Sequence, residues 1–290
     1  MPRAVSIDGV LTAPEQATVS VYDRGFLYGD GVFETLRTYR SAPFALEEHM
    51  DRLAASARCV GIALPVSQRV LEREVVDAVR AAQNPESYAR VMLTRGQGPV
   101  GLDLGLATSP LRVILVEPLS PLPGSIYRDG VAVVTARTER AADAAPGAKV
   151  TNYLASMLAL QRAKEAGAHE ALLLDAEGFI LEGTTSNFFL VIDGELLTAP
   201  KGLILAGITR AHVIALADPL GLRVRYGAIG KSDLASATEA FLTSSLRELV
   251  PVTRVDATSI GIATPGPITR RLHRAFREHA GLGDQAMPWE

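Results

Sequence analysis

Between Glu117 and Ser125 the chain reads Glu-Pro-Leu-Ser-Pro-Leu-Pro-Gly-Ser, three prolines and a glycine in nine residues. Proline has no amide hydrogen and a fixed φ, so this run cannot lie inside a helix or a central strand. It divides the chain into a segment over 1–117, a linker over 118–125 and a segment over 126–290. A long surface loop within one domain is the competing reading. The length of 290 residues favours the division, because domains usually hold on the order of 100–200 residues.

Hydrophobic spacing gives the content of each segment. Asp8-Gly9 lies between two short β-prone runs and predicts a hairpin turn. Thr18–Tyr22 and Val32–Tyr39 predict strands, with a Gly-rich loop over 23–31 between them. Leu46–Val60 and Ser67–Ala82 carry apolar residues at helical spacing, as in Leu46, Met50, Leu53 and Ala57. Tyr88–Thr94 and Leu111–Val116 predict strands. Strands plus two helices make the first segment α+β.

Beyond the linker, Val131–Ala136 predicts a strand. A loop leads to Lys149, and a helix runs from Tyr153 to Ala166. Glu170–Asp175, Phe179–Glu182, Asn187–Ile192 and Glu195–Thr198 follow, with turns at Ala176-Glu177-Gly178 and Asp193-Gly194. They predict an antiparallel meander. A helix beginning near Thr209, strands at Arg223–Tyr226 and Ala240–Thr243, and a helix over Ile268–Glu278 complete the segment.

Composition narrows the partners. Hydrophobic residues make up 48%, charged residues 21%, and the formal net charge is -3. That balance argues against nucleic acid or an anionic membrane as a partner. Arg270, Arg271 and Arg274 read as a solvated helix face. Cys59 is the only cysteine, so no internal disulfide forms, which fits a reducing cytosol. Its apolar helical surroundings predict a core position. The N-terminus lacks an apolar run of signal-peptide length, and no stretch approaches the roughly 20 apolar residues of a membrane span. A soluble, cytoplasmic protein is expected.

Several familiar motifs fail. Gly96–Gly101 has the letters GxGxxG, but Pro99 lies within it and no helix follows to receive a pyrophosphate. It reads as a loop joining two strands. Gly230-Lys231-Ser232 lacks the first glycine of a P-loop. HExxH, CxxC and GxSxG do not occur, and five scattered histidines suggest no zinc site.

Other residues carry chemistry in their order. Lys149 stands after a loop and just before a helix, with no acid within five residues. A lysine in a partly apolar site becomes nucleophilic, although most lysines are solvated surface groups. Glu182 ends a β-prone run before the polar loop Gly183–Ser186. It reads as a site carboxylate held by a strand end, or as a rim glutamate. Gly207-Ile208-Thr209 opens a helix, whose free amides bind anions; Thr209 as a plain N-cap is the alternative. Thr243-Ser244-Ser245 offers hydroxyls in a turn, or is a simple loop. Arg52 can fork onto a phosphate or pair with Glu48 one helical turn away. An amine and a carboxylate of this kind answer two needs of pyridoxal phosphate. Its aldehyde takes a lysine as a Schiff base, and its pyridine nitrogen needs an acidic partner.

These motifs in this order resemble the class IV pyridoxal-phosphate enzymes of fold type IV. That family contains branched-chain and D-amino-acid aminotransferases and aminodeoxychorismate lyases. The resemblance covers nearly the whole chain. It runs from Tyr22–Glu34 through His49–Leu53, Lys149–Tyr153, Glu182–Asn187 and Gly207–Arg210 to Thr243–Val252. It implies pyridoxal 5'-phosphate as cofactor, with Lys149 as Schiff-base lysine and proton shuttle and Glu182 at the pyridine nitrogen. Arg52, Ile208, Thr209, Ser244 and Ser245 would hold the phosphate, and Tyr153 would lie near the ring hydroxyl. The implied fold is a small α+β domain plus a larger barrel-like β domain with helices, assembled as a homodimer.

The implied reaction is transfer of an amino group between an amino acid and a 2-oxo acid such as 2-oxoglutarate. Tyr88-Ala89-Arg90 resembles the Tyr-x-Arg of branched-chain enzymes, and Tyr28 and Phe33 match their pocket aromatics. Tyr88 and Arg90 also fit an ordinary surface-facing strand pair. The Arg-x-His of the best-known D-amino-acid enzymes is absent from Gly98–Gly101. Thr35 and the bulky Thr243–Glu248 turn depart from the branched-chain pattern. The turn is nearer to the lyases, which leaves aminodeoxychorismate lyase as the alternative. A non-catalytic binding protein on this fold is a further alternative, and the joint presence of Lys149, Glu182 and Arg52 argues against it.

Overall fold

A computed structural model describes residues 3–137, 145 and 147–290. The chain forms two compact units, one of Met1–Ser120 with Ala141–Tyr153, the other of Pro121–Arg140 with Leu154–Glu290. The stretch that carries Lys149 therefore packs with the first unit. The linear division at 118–125 had assigned it to the second. Part of the loop expected before Lys149, at 138–144 and 146, lies outside the described residues.

The first unit is built on six strands: β1 (Ala4–Ile7), β2 (Val10–Thr12), β3 (Gly31–Tyr39), β4 (Ala42–Pro43), β5 (Ser87–Thr94) and β6 (Leu111–Pro118). They lie in the order β2-β1-β6-β5-β3-β4. Asp8 and Gly9 turn the first hairpin at φ 49° and 84°, as an Asp-Gly pair favours. Along β5, Ser87, Ala89, Val91 and Leu93 are buried, while Tyr88, Arg90, Met92 and Thr94 occupy the opposite face. Helices α2 (Leu46–Cys59) and α3 (Gln68–Ala82) cover the buried face. Met50, Leu53, Ala57, Leu71 and Val75 pack there against Val32, Leu36, Val91 and Ile114.

Three local expectations change in this unit. Thr18–Tyr22 is not a strand: among the described residues the run finds no ladder partner, and Val21 and Tyr22 remain 63% and 58% exposed. The Gly-rich loop contains a short helix, α1 (Arg24–Tyr28). Asp23 Oδ1 caps it by accepting from Gly25 N at 2.8 Å, and Gly29 ends it in the left-handed region, as capping rules describe. Cys59 is exposed rather than in the core. It sits two residues past buried Ala57, about 200° around the helix.

The second unit contains nine strands: β7 (Val131–Arg137), β8 (Glu170–Leu174), β9 (Ile180–Gly183), β10 (Asn187–Ile192), β11 (Glu195–Thr198), β12 (Val224–Tyr226), β13 (Glu239–Ser244), β14 (Glu248–Val255) and β15 (Thr258–Ser259). Its helices are α4 (Gly124–Asp129), α5 (Leu154–Glu165), α6 (Ile208–Ala217), α7 (Lys231–Ser236) and α8 (Pro267–His279). The strand order is β12-β11-β10-β13-β14-β7-β8-β9, and β9 also pairs with β10. That last pairing joins Glu182 to Asn187 and closes six of the strands into a barrel. Val133, Leu172, Phe188, Leu190, Leu242 and Val252 belong to its core. The meander β8 to β11 is antiparallel, as its turns require. Sequence spacing did not reveal β14, because Pro251 lies inside it and proline normally marks a break. The Gly230-Lys231-Ser232 run opens α7, a helix of six residues.

Candidate active site

In the first unit, the main chain around Lys149 is fastened to β3 and α2. Phe33 N donates to Lys149 O at 2.9 Å, Thr151 N donates to Gly31 O at 2.9 Å, and Val150 bridges Val32. From α2, Ser56 Oγ accepts from Lys149 N at 3.0 Å. The side chain is thereby directed to an aromatic corner. Its Nζ donates to Tyr153 Oη at 3.2 Å and lies 4.6 Å from the centre of the Phe33 ring. Phe33 and Tyr153 meet edge to face at 5.2 Å, a favoured aromatic geometry. The Arg90 guanidinium lies 3.9 Å over the same Phe33 ring.

Lys149, Tyr153, Phe33 and Arg90 thus form one group. Tyr88 shares the strand face of Arg90, two residues away. Tyr28 is engaged differently: its hydroxyl accepts from Gly101 N at 3.1 Å, and Arg24 stacks 5.0 Å over its ring. It pins the loop after β5.

Arg52 lies on one face of α2 with His49 and Ser56, at positions three and seven residues from the first. Its fork goes to Glu34 on β3, Nε to Oε1 at 2.7 Å and Nη2 to Oε2 at 2.7 Å. His49 Nδ1 also meets Glu34 Oε2 at 2.7 Å. Glu34 is fully buried. Burial pushes its carboxyl pKa up, but Arg52 and His49 outweigh this and hold it at about 2. Burial pushes the His49 pKa down, against the pull of Glu34 and with help from Arg52 and Lys149. A neutral His49 therefore donates its Nδ1 proton to the carboxylate. Sequence reading missed Glu34 and His49 as site residues. The signal was available in the helical spacing of His49 and Arg52 beside a buried-strand glutamate.

In the second unit, Glu182 sits where the barrel closes and is buried, which removes the rim reading. Its Oε2 accepts from Leu205 N at 3.0 Å and from Asn187 Nδ2 at 3.3 Å. The start of α6 is close in sequence to Leu205. Gly207 is the N-cap, with no side-chain cap bond, and Thr209 lies within the first turn, buried. Thr209 is therefore not the cap. Ala211 N is the first amide to bond back, to Gly207 O at 2.9 Å. The amides of Ile208, Thr209 and Arg210 precede the helical ladder, as at any helix start.

The Thr243–Glu248 turn is held by Arg247, which sequence reading did not single out. Arg247 donates to Ser244 Oγ at 3.1 Å, Glu170 Oε2 at 2.9 Å and Thr185 Oγ1 at 2.7 Å. Burial pushes the Glu170 pKa up, but Arg247 and the hydroxyls and amide of Thr184 and Thr185 bring it below the usual carboxylate range. Ser245, the next residue, is half-buried.

Each unit by itself holds groups that suit pyridoxal phosphate: the first an amine in an aromatic corner, the second a buried carboxylate and an uncapped helix start. Beside Glu182 and Ser244, the buried hydroxyls of Ser186 and Thr243 lack hydrogen-bond partners. Buried hydroxyls without partners are rare and suit an anion or ring substituent. The fold and these residues have the features of the fold-type-IV pyridoxal-phosphate enzymes.

Residues 31–255 match the family profile of amino-transferase class IV, and the chain belongs to that family. Its members are pyridoxal-phosphate enzymes. It is 38% identical over 277 residues to a putative branched-chain-amino-acid aminotransferase of Methanocaldococcus jannaschii, covering 94% of this chain and 95% of the relative. It is 34% identical over 274 residues to D-alanine aminotransferase of Bacillus licheniformis, covering 94% and 95%. The fold superposes on the crystal structure of Escherichia coli branched-chain amino acid aminotransferase with a TM-score of 0.91 at 30% identity, covering 100% and 98%. The protein is thus an aminotransferase by family. Among the described residues, no helix is long and apolar enough to cross a membrane.

Proposed function

We propose that the chain moves amino groups between an aliphatic L-amino acid, branched-chain residues foremost, and 2-oxoglutarate, with pyridoxal 5'-phosphate held by Lys149. The observation that carries this reading is Arg90 stacked on Phe33 beside the Lys149 amine. A cation on an aromatic wall suits substrates that share a carboxylate and differ between an acidic and an apolar side chain. Glu182 would pair with the pyridine nitrogen. Ile208 and Thr209, with Ser244 and Ser245, would hold the phosphate, and Arg52 would add a cation to it. When bound, the cofactor supplies an electron sink for the substrate's α-carbon.

The chain's own residues do the rest. Lys149 Nζ would take the proton from the substrate's α-carbon and hold it for return. Tyr153 Oη, at 3.2 Å, orients that nitrogen. Phe33 covers it and excludes water from one side. Glu34 and His49 hold Arg52 in one orientation. A homodimer belongs to the same reading.

Two assays test the reading. Leucine with 2-oxoglutarate should yield glutamate, and Lys149→Ala should lower that rate by at least roughly 10³-fold, as loss of both nucleophile and proton carrier demands. Borohydride reduction should fix the cofactor on the Lys149 peptide. D-alanine as better donor would reverse the stereochemical assignment, which the D-alanine aminotransferase relatives make a fair competitor. Release of 4-aminobenzoate from aminodeoxychorismate, without transamination, would replace the reading with the lyase.

A further inference from the structure

Asn187 opens β10 at the point where the barrel closes. It pairs with Glu182 across one ladder and Thr243 across the other. Its side chain is buried, and its Nδ2 donates twice, to Glu182 Oε2 at 3.3 Å and to Leu205 O at 3.1 Å. Both partners only accept, so the amide has one sensible orientation. Leu205 N donates to the same Glu182 oxygen at 3.0 Å. A closed triangle therefore joins the carboxylate, the asparagine and the loop into α6.

The other end of the amide meets Gly207. A methyl group added there would overlap Asn187 Oδ1. Gly207 has φ -64° and ψ 132°, which any residue adopts. The glycine is therefore explained by close approach and not by backbone conformation.

We propose that Asn187 is a positioning residue that sets the Glu182 carboxylate at a fixed distance from the start of α6. This rests on the reading of Glu182 and Thr209 as cofactor ligands. A ring nitrogen and a phosphate belong to one small molecule with only a short methylene ester between ring and phosphorus, so their two binding groups must keep a nearly constant separation. The Asn187 amide touches both sides of that separation within this unit.

The test uses the purified full-length protein and pyridoxal phosphate itself. Asn187→Asp is nearly isosteric but sets a second carboxylate against Glu182. Two such groups in contact share one proton. Cofactor affinity should fall roughly tenfold relative to wild type at pH 8, about the loss of one charge-assisted hydrogen bond, and recover toward wild type at pH 6. Glu182→Gln should weaken binding and change the absorbance of the bound cofactor, with no such recovery. If Glu182→Gln changes neither, the reading of Glu182 fails. If it changes both while Asn187→Asp binds like wild type, or loses affinity equally at the two pH values, the proposal fails alone.

Should Asn187→Asp not fold, thermal unfolding of the apoprotein decides. Gly207→Ala should lower the midpoint in the wild-type background and much less beside Asn187→Ala, where the clash is gone. Additive losses would overturn the proposal.

Discussion

Glu34→Gln is the sharpest test of how the first unit holds its basic groups. The carboxyl titrates at about 2 in the folded chain against an ordinary 4.5. A group with a depressed folded pKa adds stability that is fully present above 4.5 and is lost as pH falls toward 2. For this gap the contribution is about 3 kcal/mol at neutral pH. A second route reaches a similar size. The substitution keeps the shape but removes the buried carboxylate that Arg52, 10% exposed at its side chain, forks onto. Unpairing a buried ion pair costs roughly 3–5 kcal/mol. Thermal unfolding of the apoprotein at pH 7 should show a midpoint lower by roughly 6–12 °C. The difference from wild type should shrink steadily between pH 4.5 and pH 2, as wild-type Glu34 takes up its proton. Equal midpoints at pH 7, or a difference unchanged on acidification, would refute the view that the ion pair stabilises this unit.

Three further outcomes are expected. Tyr153→Phe removes the hydroxyl that receives Lys149 Nζ; kcat should fall roughly 5- to 10-fold, the value of one hydrogen bond, with KM nearly constant in steady-state assays. Arg247→Ala leaves Glu170 buried with only the Thr184 and Thr185 donors, so urea unfolding should show a loss of about 1.5–3 kcal/mol, the value of a hydrogen bond to a charged group, partly restored by Arg247→Lys. Burial pushes the pKa values of His49, His169 and His273 down. The unfolded chain then binds more protons below about pH 6.5, and the thermal midpoint should fall from that pH downward; a flat profile to pH 5 would contradict it.

Much of this was legible from residue order. The stripe of Leu46, Met50, Leu53 and Ala57 gave α2 within one residue of its end, and the Asp8-Gly9 turn fixed the first hairpin. Lys149 and Glu182 stood out because each lies where an element meets a loop. What stayed hidden depends on contacts distant in the chain. Glu34 and Arg52 are 18 residues apart, and nothing local marks their pairing. Thr18–Tyr22 has strand composition, but a strand exists only if a neighbour supplies a ladder. Cys59 was misplaced because an apolar neighbourhood does not say which side of the helix faces the core. Asn187 reads as the first residue of a predicted strand, and nothing marks its amide until β9 and β10 are seen to meet there.

The boundary between the two units falls at Ser120–Pro121, inside the proline-rich segment, and the stretch Ala141–Tyr153 belongs to the first unit. Lys149 is fixed on both sides by β3 and from α2 by Ser56, so its backbone entropy is lost on folding and not when a ligand arrives. On the proposed reading, the amine is held by one compact unit and the carboxylate and helix start by another. Each part is rigid for its own reasons: a sheet and helix grip the lysine, and a barrel closure grips the glutamate. Loss of the Ser56 hydroxyl should therefore disturb the lysine's chemistry while leaving the Glu182–Asn187–Leu205 triangle intact. Cofactor contacts made by the carboxylate would then persist where catalysis fades.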